Sequence, residues 1–389
     1  MHMRFSKNVE KLSGEGAFEV LAKAKELEKK GKDIIHLEIG EPDFDTPENI
    51  KNAAKKALDD NYTHYTPSAG IIEAREKYAE YIAKHNKMNS IGKDNINITP
   101  GVKPAIFLSL LATVDAGDEV IVPNPGYPTY GSVVNFMGAV PVSLPLSESK
   151  DFRFDVEDLK ELITSKTKAI VINSPQNPTG GILEKSDLKA IDDLSKDHKL
   201  FVISDEIYNR LVYDGKHESM LHDDNLDRVI LIEGHSKTYA MTGWRLGFTI
   251  TSQELAKKIT KLMINSVSCT CAFTQMAGIE ALFGNQDEIE RRIKIFKERR
   301  DVIVNGLNKI DGISCRMPKG AFYAFPNIKD LPYNEEALAD KLMTDAGVAC
   351  LPGTCFGEYG KGYLRFSYAN SIENIKKALE RIENVVKEL

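Results

Sequence analysis

The chain predicts an α/β fold, with a large domain whose mostly parallel seven-stranded sheet is sandwiched by helices, plus a smaller α+β domain. Three observations carry that expectation. Between residues 94 and 250 a short β-branched run, a turn rich in Gly, Pro or Asn and a helical stretch recur in that order, as strands joined by helical crossovers do. The strand runs are apolar throughout rather than alternating, as strands covered by helices on both faces must be. Beyond about Phe273 the alternation stops, and long charged helices with isolated strands take over.

Taken in order, a first helix is expected over 17–30, ahead of the short strand in D-I-I-H-L, and is expected to pack with the second domain. The sheet strands are expected at 95–99, 119–123, 140–144, 169–173, 200–204, 229–233 and 247–251, with a helix through 105–111 after the first. Residues 273–310 read as helix broken near Gly284-Asn285, with the charge run 288–300 as a solvated face. There follow A-F-Y-A-F-P near Ala321, a helix over 337–346, V-A-C-L-P-G, a strand at 363–367 and a closing helix over 371–389. The implied division is 48–285 for the large domain, with 1–47 and 286–389 forming the small one.

At 389 residues and 42% hydrophobic content, the chain can bury a core in each of two domains. A formal charge of -6, with lysines scattered rather than clustered, lacks the basic surface that a nucleic-acid backbone requires. The opening M-H-M-R-F-S-K-N lacks the apolar region of a secretory signal, and no segment approaches the roughly 20 apolar residues of a membrane span. Met1 and His2 carry no structural signal. Cys269, Cys271, Cys315, Cys350 and Cys355 are odd in number and lack zinc spacing, so no metal site is expected. They read as small buried residues of a cytoplasmic protein.

The chemistry concentrates just past the predicted strands. Asp205, in S-D-E-I-Y, follows the 200–204 run at the edge where open α/β sheets place ligands. Facing a pyridine nitrogen, its charge would keep that nitrogen protonated; alone, it would more simply cap a helix. If E-I-Y begins a helix, Tyr208 reaches the same side, where a hydroxyl donor suits a ring phenolate. Asn177, in N-P-T-G beyond the 169–173 run, could offer its amide to that oxygen. Lys237 follows the 229–233 run between Ser236 and Arg245, a hydroxyl and a bidentate donor suited to a phosphate. A buried lysine there would be a nucleophile and a base. Gly101, Val102 and Lys103 start the helix after the first strand, where free amides suit an anion. Tyr127, in P-N-P-G-Y-P-T-Y, could stack on a flat ring, although a packed loop tyrosine reads the same way. Arg365, in L-R-F-S-Y-A, is suited to a carboxylate. Together these are the parts of a pyridoxal phosphate (PLP) site.

The segments 40–47 (G-E-P-D-F-D-T-P), Tyr65-Thr66-Pro67, 177–180, 204–208, 236–247 and 363–369 resemble the class I aminotransferases of PLP fold type I. The resemblance runs from about Asp33 to the C-terminus and is closest to the prokaryotic aspartate aminotransferase-like subgroup. It implies that Lys237 holds the cofactor as an imine, that Asp205 pairs with the pyridine nitrogen, and that Asn177 and Tyr208 contact the ring oxygen. It also implies that Tyr127 stacks on the ring and that Ser236, Arg245 and the backbone of Gly101, Val102 and Lys103 hold the phosphate. Tyr65 would reach across from a second subunit of a homodimer. Arg365, with Asn177 and the Gly40 backbone, would hold the substrate α-carboxylate.

Three departures are visible. Gly234 stands where many relatives carry another phosphate-binding serine, and Tyr127 where close aspartate-specific relatives carry tryptophan. No second arginine for a distal carboxylate is identifiable. Lys103 matches a lysine used for that purpose in part of the subgroup, while Glu15 sits near where relatives place small hydroxyl residues.

The reaction expected is ping-pong transamination from an L-amino acid, leaning to aspartate or glutamate, onto a 2-oxoacid such as 2-oxoglutarate, with Lys237 moving the α-proton. Aromatic, alanine and branched donors stay open, as does a PLP-dependent β-lyase of the same fold. A PLP-binding regulator would need a DNA-binding domain ahead of Gly40, for which few residues are present. His235 reads as a loop-filling histidine, and Cys269 and Cys271 as neighbours of a dimer interface without chemistry.

Overall fold

The computed structural model describes residues 5–14 and 16–388; Met1, His2 and Glu15 lie outside the described residues. A seven-stranded sheet forms its centre. Its strands are β2 (Ile96–Thr99), β3 (Glu119–Asn124), β4 (Val140–Pro145), β5 (Thr167–Asn173), β6 (Phe201–Asp205), β7 (Val229–Gly234) and β8 (Gly247–Ile250), after the short β1 (Ile35–His36) outside it. The order across the sheet is β2-β8-β7-β6-β5-β3-β4. Only β8 runs against its neighbours; the other pairings, β3 with β4 and β5, β5 with β6 and β6 with β7, are parallel. All seven expected strands are present. T-K-A-I-V-I-N, F-V-I-S-D and V-I-L-I-E-G are almost wholly buried along their lengths, which explains why their sequences show no polar alternation.

The helices are α1 (Gly16–Lys29), α2 (Glu48–Asp59), α3 (Ile72–Asn86), α4 (Val102–Thr113), α5 (Thr129–Met137), α6 (Val156–Leu162), α7 (Lys185–Asp197), α8 (Gln253–Ile264), α9 (Ala272–Phe283), α10 (Asp287–Leu307), α11 (Glu335–Ala346) and α12 (Ile372–Lys387). Side-chain caps fix several starts: Ser252 accepts from Leu255 N at 3.3 Å, Asn334 from Ala337 N at 2.8 Å and Ser371 from Asn374 N at 3.1 Å. One apolar layer packs Ile98, Ile172, Val202, Leu231 and Phe248 against α3, α7 and α9; the opposite layer packs Val120, Val171, Ile203 and Ile232 against α4, α5 and α8.

A second core gathers Phe296 and Leu307 of α10, Phe322, Leu338, Phe366 and Ile382. Its sheet is antiparallel, ordered β11-β12-β9, from β9 (Tyr323–Ala324), β11 (Leu351–Pro352) and β12 (Leu364–Ser367). β1 pairs in parallel with β10 (Val348–Ala349), and Ala24 of α1 packs with Ile34, Met343 and Ala349. The first helix therefore packs against the C-terminal part, as expected.

Three expectations need correction. Glu206, Ile207 and Tyr208 form a turn and not a helix, held by Asn209 N donating to Glu206 O at 2.9 Å and Leu211 N to Tyr208 O at 2.8 Å. The charge run on α10 is not wholly solvated: Arg292, Arg299 and Arg300 are buried. Arg292 and Arg299 each lie 4.9 Å from the Phe44 ring centre, and Arg299 grips Asp43 with two bonds of 2.6 and 2.8 Å. Guanidinium planes can be buried where a carboxylate and an aromatic face receive them, so the helix anchors the segment that follows Gly40. The cysteines are not uniformly buried either: Cys271 is exposed, immediately before α9.

Candidate active site

A cavity of about 360 Å³ opens at the carboxyl ends of β5, β6 and β7. Asn173, Asn177, Asp205, Tyr208, Ser236, Lys237 and Arg245 line it from the large sheet, and Gly40, Tyr323, Phe356 and Arg365 from the other side. Neighbouring parallel strands end together, so residues more than 60 positions apart in sequence share one rim. Val102, Lys103 and Tyr127 also line it.

Asp205 ends β6 and is 3% exposed. Its carboxylate accepts from the Tyr130 hydroxyl at 2.8 Å and from Ile207 N at 3.2 Å, and no cation among the described residues hydrogen-bonds to it. Burial raises its pKa to about 6, against the lowering effect of those two donors. A buried carboxylate without a cation fits a protonated ring nitrogen. Asn173 ties the two strand ends together: its Nδ2 donates to Asp205 O at 2.9 Å, and its Oδ1 accepts from Asn177 N at 2.9 Å.

Lys237 faces the cavity, and the surrounding protein lowers its amine to about 8, chiefly by desolvation. Its Nζ donates to Gly40 O at 2.5 Å, and the Phe322 ring lies 6.0 Å away. An amine in this state is available as a nucleophile near neutral pH. Tyr208 is buried and its hydroxyl lies 2.7 Å from that of Tyr323; burial pushes its ionisation well above the ordinary tyrosine range.

Arg365 projects from β12 and is 3% exposed. Its Nη1 donates to Asn177 Oδ1 at 3.1 Å and its Nη2 to Glu38 O, while Nε has no hydrogen-bond partner among the described residues. The rings of Tyr323 and Phe356 flank it at 4.5 and 4.9 Å. Burial lowers its pKa from the ordinary arginine value, so a bound carboxylate would relieve an uncompensated charge.

An anion cradle adjoins these groups. Gly101 precedes α4 at φ 105°, a left-handed conformation that glycine adopts without strain, and a β-carbon there would collide with the Arg245 guanidinium. The free amides at the start of α4, the buried Ser236 and the exposed Arg245 could together hold a phosphate. At Gly234 a β-carbon would press into the Val102 side chain, so the larger neighbour occupies the room a serine would need.

Not every expected residue meets the others here. Tyr65 is 91% exposed and lies outside this cavity. His235 is buried against Tyr78, whose hydroxyl is 3.1 Å from its Nε2, and desolvation lowers it to about 4, so it fills the interior as a neutral ring. The sequence reading missed Asn173, Tyr130 and Tyr323. Tyr130 stands three residues after Tyr127, and their rings meet edge to face at 5.6 Å. That spacing at a helix start was the available signal.

The groups present fit pyridoxal phosphate: an amine of lowered basicity, a buried anion for the ring nitrogen, hydroxyl and amide donors, and an anion cradle. A family profile described as Aminotransferase class I and II matches residues 32–382. Aspartate aminotransferase from Pyrococcus abyssi (strain GE5 / Orsay) is 41% identical over 361 residues, 92% of each chain. Aromatic-amino-acid aminotransferase 2 from Thermococcus litoralis is 40% identical over 91% of this chain and 92% of that one. Aspartate aminotransferase from Thermus thermophilus, solved with maleate, has a TM-score of 0.93 at 37% identity, covering 99% of this chain and 100% of that one. The chain belongs to the class I and II aminotransferases. It is a PLP-dependent transaminase of fold type I, acting between amino acids and 2-oxoacids.

Proposed function

We propose that this enzyme moves the α-amino group of an L-amino acid, with aspartate or glutamate preferred, to a 2-oxoacid such as 2-oxoglutarate in two half-reactions at one site. The observation that carries this reading is the meeting of Lys237, Asp205 and Arg365 in a single cavity. When bound, PLP supplies an electron sink for negative charge at the substrate α-carbon. The chain's own groups divide the remaining work. Arg365, with Asn177 and the Gly40 backbone, binds the α-carboxylate and sets the orientation. Lys237 would hold the cofactor covalently, and its freed Nζ would take the substrate α-proton and return it. Asp205 keeps the ring nitrogen charged. Tyr208 and Asn177 would donate to the ring oxygen, Tyr127 would cover the ring, and Ser236, Arg245 and the amides of Val102 and Lys103 would hold the phosphate; the Gly101 N–H instead donates to Thr99 O at 2.7 Å, so Gly101 serves the cradle by leaving room for Arg245.

The preference for dicarboxylic donors is supported by Lys103, which lines the cavity with its Nζ 5.8 Å from the Tyr127 ring, and by relatives named for aspartate. The maleate of the Thermus structure is a dicarboxylate, which points the same way. On this reading residues 48–285 form the cofactor domain, and 1–47 with 286–389 the second. The enzyme would act as a homodimer, Tyr65 of the partner subunit completing the phosphate site, which suits the exposure of Tyr65 on a single chain. Five cysteines carried as thiols suit the cytoplasm.

Mixing the yellow holoenzyme with single L-amino acids and following its absorbance tests the donor. Bleaching by aspartate or glutamate, restored by 2-oxoglutarate, is expected. Bleaching only by aromatic, alanine or branched donors would overturn the preference, and ammonia release without an acceptor would make the enzyme a β-lyase.

A further inference from the structure

Tyr323 links two ends of the cavity that the motifs treat separately. It lies on β9, 1% exposed, with its hydroxyl 2.7 Å from that of Tyr208. Strand register sets its other contact. Ser367 pairs with Tyr323 across β12 and β9, so Arg365, two residues earlier on the same face, is its diagonal neighbour. The Arg365 guanidinium stands 4.5 Å from the centre of its ring. The hydroxyl also presses on Gly40, where any β-carbon would collide with it.

We propose that Tyr323 is a positioning residue for transamination, its hydroxyl donating to Tyr208 to strengthen that residue's bond to the cofactor's ring oxygen while its ring holds Arg365 ready for the substrate carboxylate. This rests on the roles given above to Tyr208 and Arg365. A phenol has one proton. With the Tyr208 proton committed to the ring oxygen, its lone pairs are left for Tyr323, which is then the donor. Successive hydrogen bonds polarise one another, in the sense that makes Tyr208 the better donor. The charged groups bearing on Tyr208 are Arg365 from β12 and Asp205 from β6; Lys237 beyond β7 feels both, and Glu38 lies behind Arg365.

Two substitutions separate the hydroxyl from the ring. A donor at the ring oxygen stabilises the anion left when the yellow chromophore loses its proton, so removing the donor raises the pH midpoint of its absorbance change. Tyr208→Phe should raise that midpoint, and Tyr323→Phe should raise it by less, with KM for the amino donor changed by under about twofold. Tyr323→Leu, which removes the ring too, should raise KM about threefold to thirtyfold, the range for a cation and an aromatic face. A midpoint that moves in Tyr208→Phe but stays fixed in Tyr323→Phe would overturn this inference alone. No movement in either would remove the role of Tyr208 as well. Should the leucine variant fail to fold, the midpoint of the phenylalanine variant still decides, because a merely structural hydroxyl would lower Tm without moving it.

Discussion

The floor and the wall of the cavity are built differently. Asn177, Asp205, Ser236 and Lys237 sit within four residues of the ends of β5, β6 and β7, three adjacent strands buried on both faces. The wall is assembled from Phe18 on α1, Ile39, Leu351 on β11, Phe356 and Arg365 on β12, segments from both ends of the chain; Phe18 is 62% exposed. One sheet positions the floor, whereas separate segments from both ends of the chain, most of them buried, shape what fits against it. The wall can therefore change while the floor stays. Relatives about 40% identical to this chain are accordingly named for aspartate in one case and for aromatic amino acids in another.

If the floor carries the chemistry, its loss must cost far more than any change to the wall. On the roles proposed above, Lys237→Ala would remove both the covalent anchor and the base, and turnover should fall by at least about 10⁴-fold. Steady-state assay of the purified variant checks this; full turnover would end the assignment. Arg365→Leu comes next. Losing a buried, hydrogen-bonded charge partner of the substrate costs about 2–5 kcal/mol, so kcat/KM should fall about 30-fold to several thousand-fold, mainly through KM. An unchanged KM would mean that another cation binds the α-carboxylate.

The same division explains what was legible in the sequence. Asp205, Lys237 and Asn177 could be read because each follows a continuous apolar run whose end marks the sheet edge, so position along the chain gave position in space. Tyr208 was placed on the right side for the wrong reason, since a turn and not a helix carries it there. Tyr323 was not legible, because its contacts depend on antiparallel register between two short strands, and Phe356 because it sits in a short 3₁₀ turn after β11; no local pattern records either. The buried arginines of α10 were hidden similarly: a run of alternating charges looks solvated until Asp43, 256 residues from Arg299, and its neighbour Phe44 pack against it.

The floor carries a buried acid whose charged form is disfavoured by desolvation. Desolvation raises Asp205 to about 6 in the folded chain, above its ordinary 3.8. For an acid shifted upward, the favourable contribution is present below the unfolded value and is lost as pH rises through the folded one. The cofactor-free protein should therefore lose up to about 3 kcal/mol from this residue between roughly pH 4 and 6. Asp205→Asn, which can still accept from Tyr130, should raise the Tm of the cofactor-free protein at pH 7.5, with about half that stabilisation near pH 5 and little below about pH 4. In the holoenzyme the sign reverses, because the ring nitrogen loses its anion, and turnover should drop about 10²-fold or more. A lower Tm for the cofactor-free variant at pH 7.5 would show that Asp205 is held by partners stronger than Tyr130 and Ile207 N.

The smallest expected effect decides how far the wall alone sets donor choice. Lys103 belongs to both regions: its backbone starts α4 beside the anion cradle, while its side chain reaches the cavity beside Tyr127. Lys103→Met keeps the helix start and the aliphatic length and removes only the charge. If that ammonium meets a distal carboxylate, kcat/KM for aspartate and glutamate should fall about tenfold relative to alanine or phenylalanine, a difference of about 1.4 kcal/mol. The size is modest because the lysine is solvent-exposed and its charge partly screened. Equal losses for every donor would instead tie the side chain to the cradle, leaving the apolar segments around Phe18, Ile39 and Phe356 to choose the substrate. Donor preference would then follow side-chain volume rather than charge, and a bulky neutral amino acid should outcompete aspartate in the same assay.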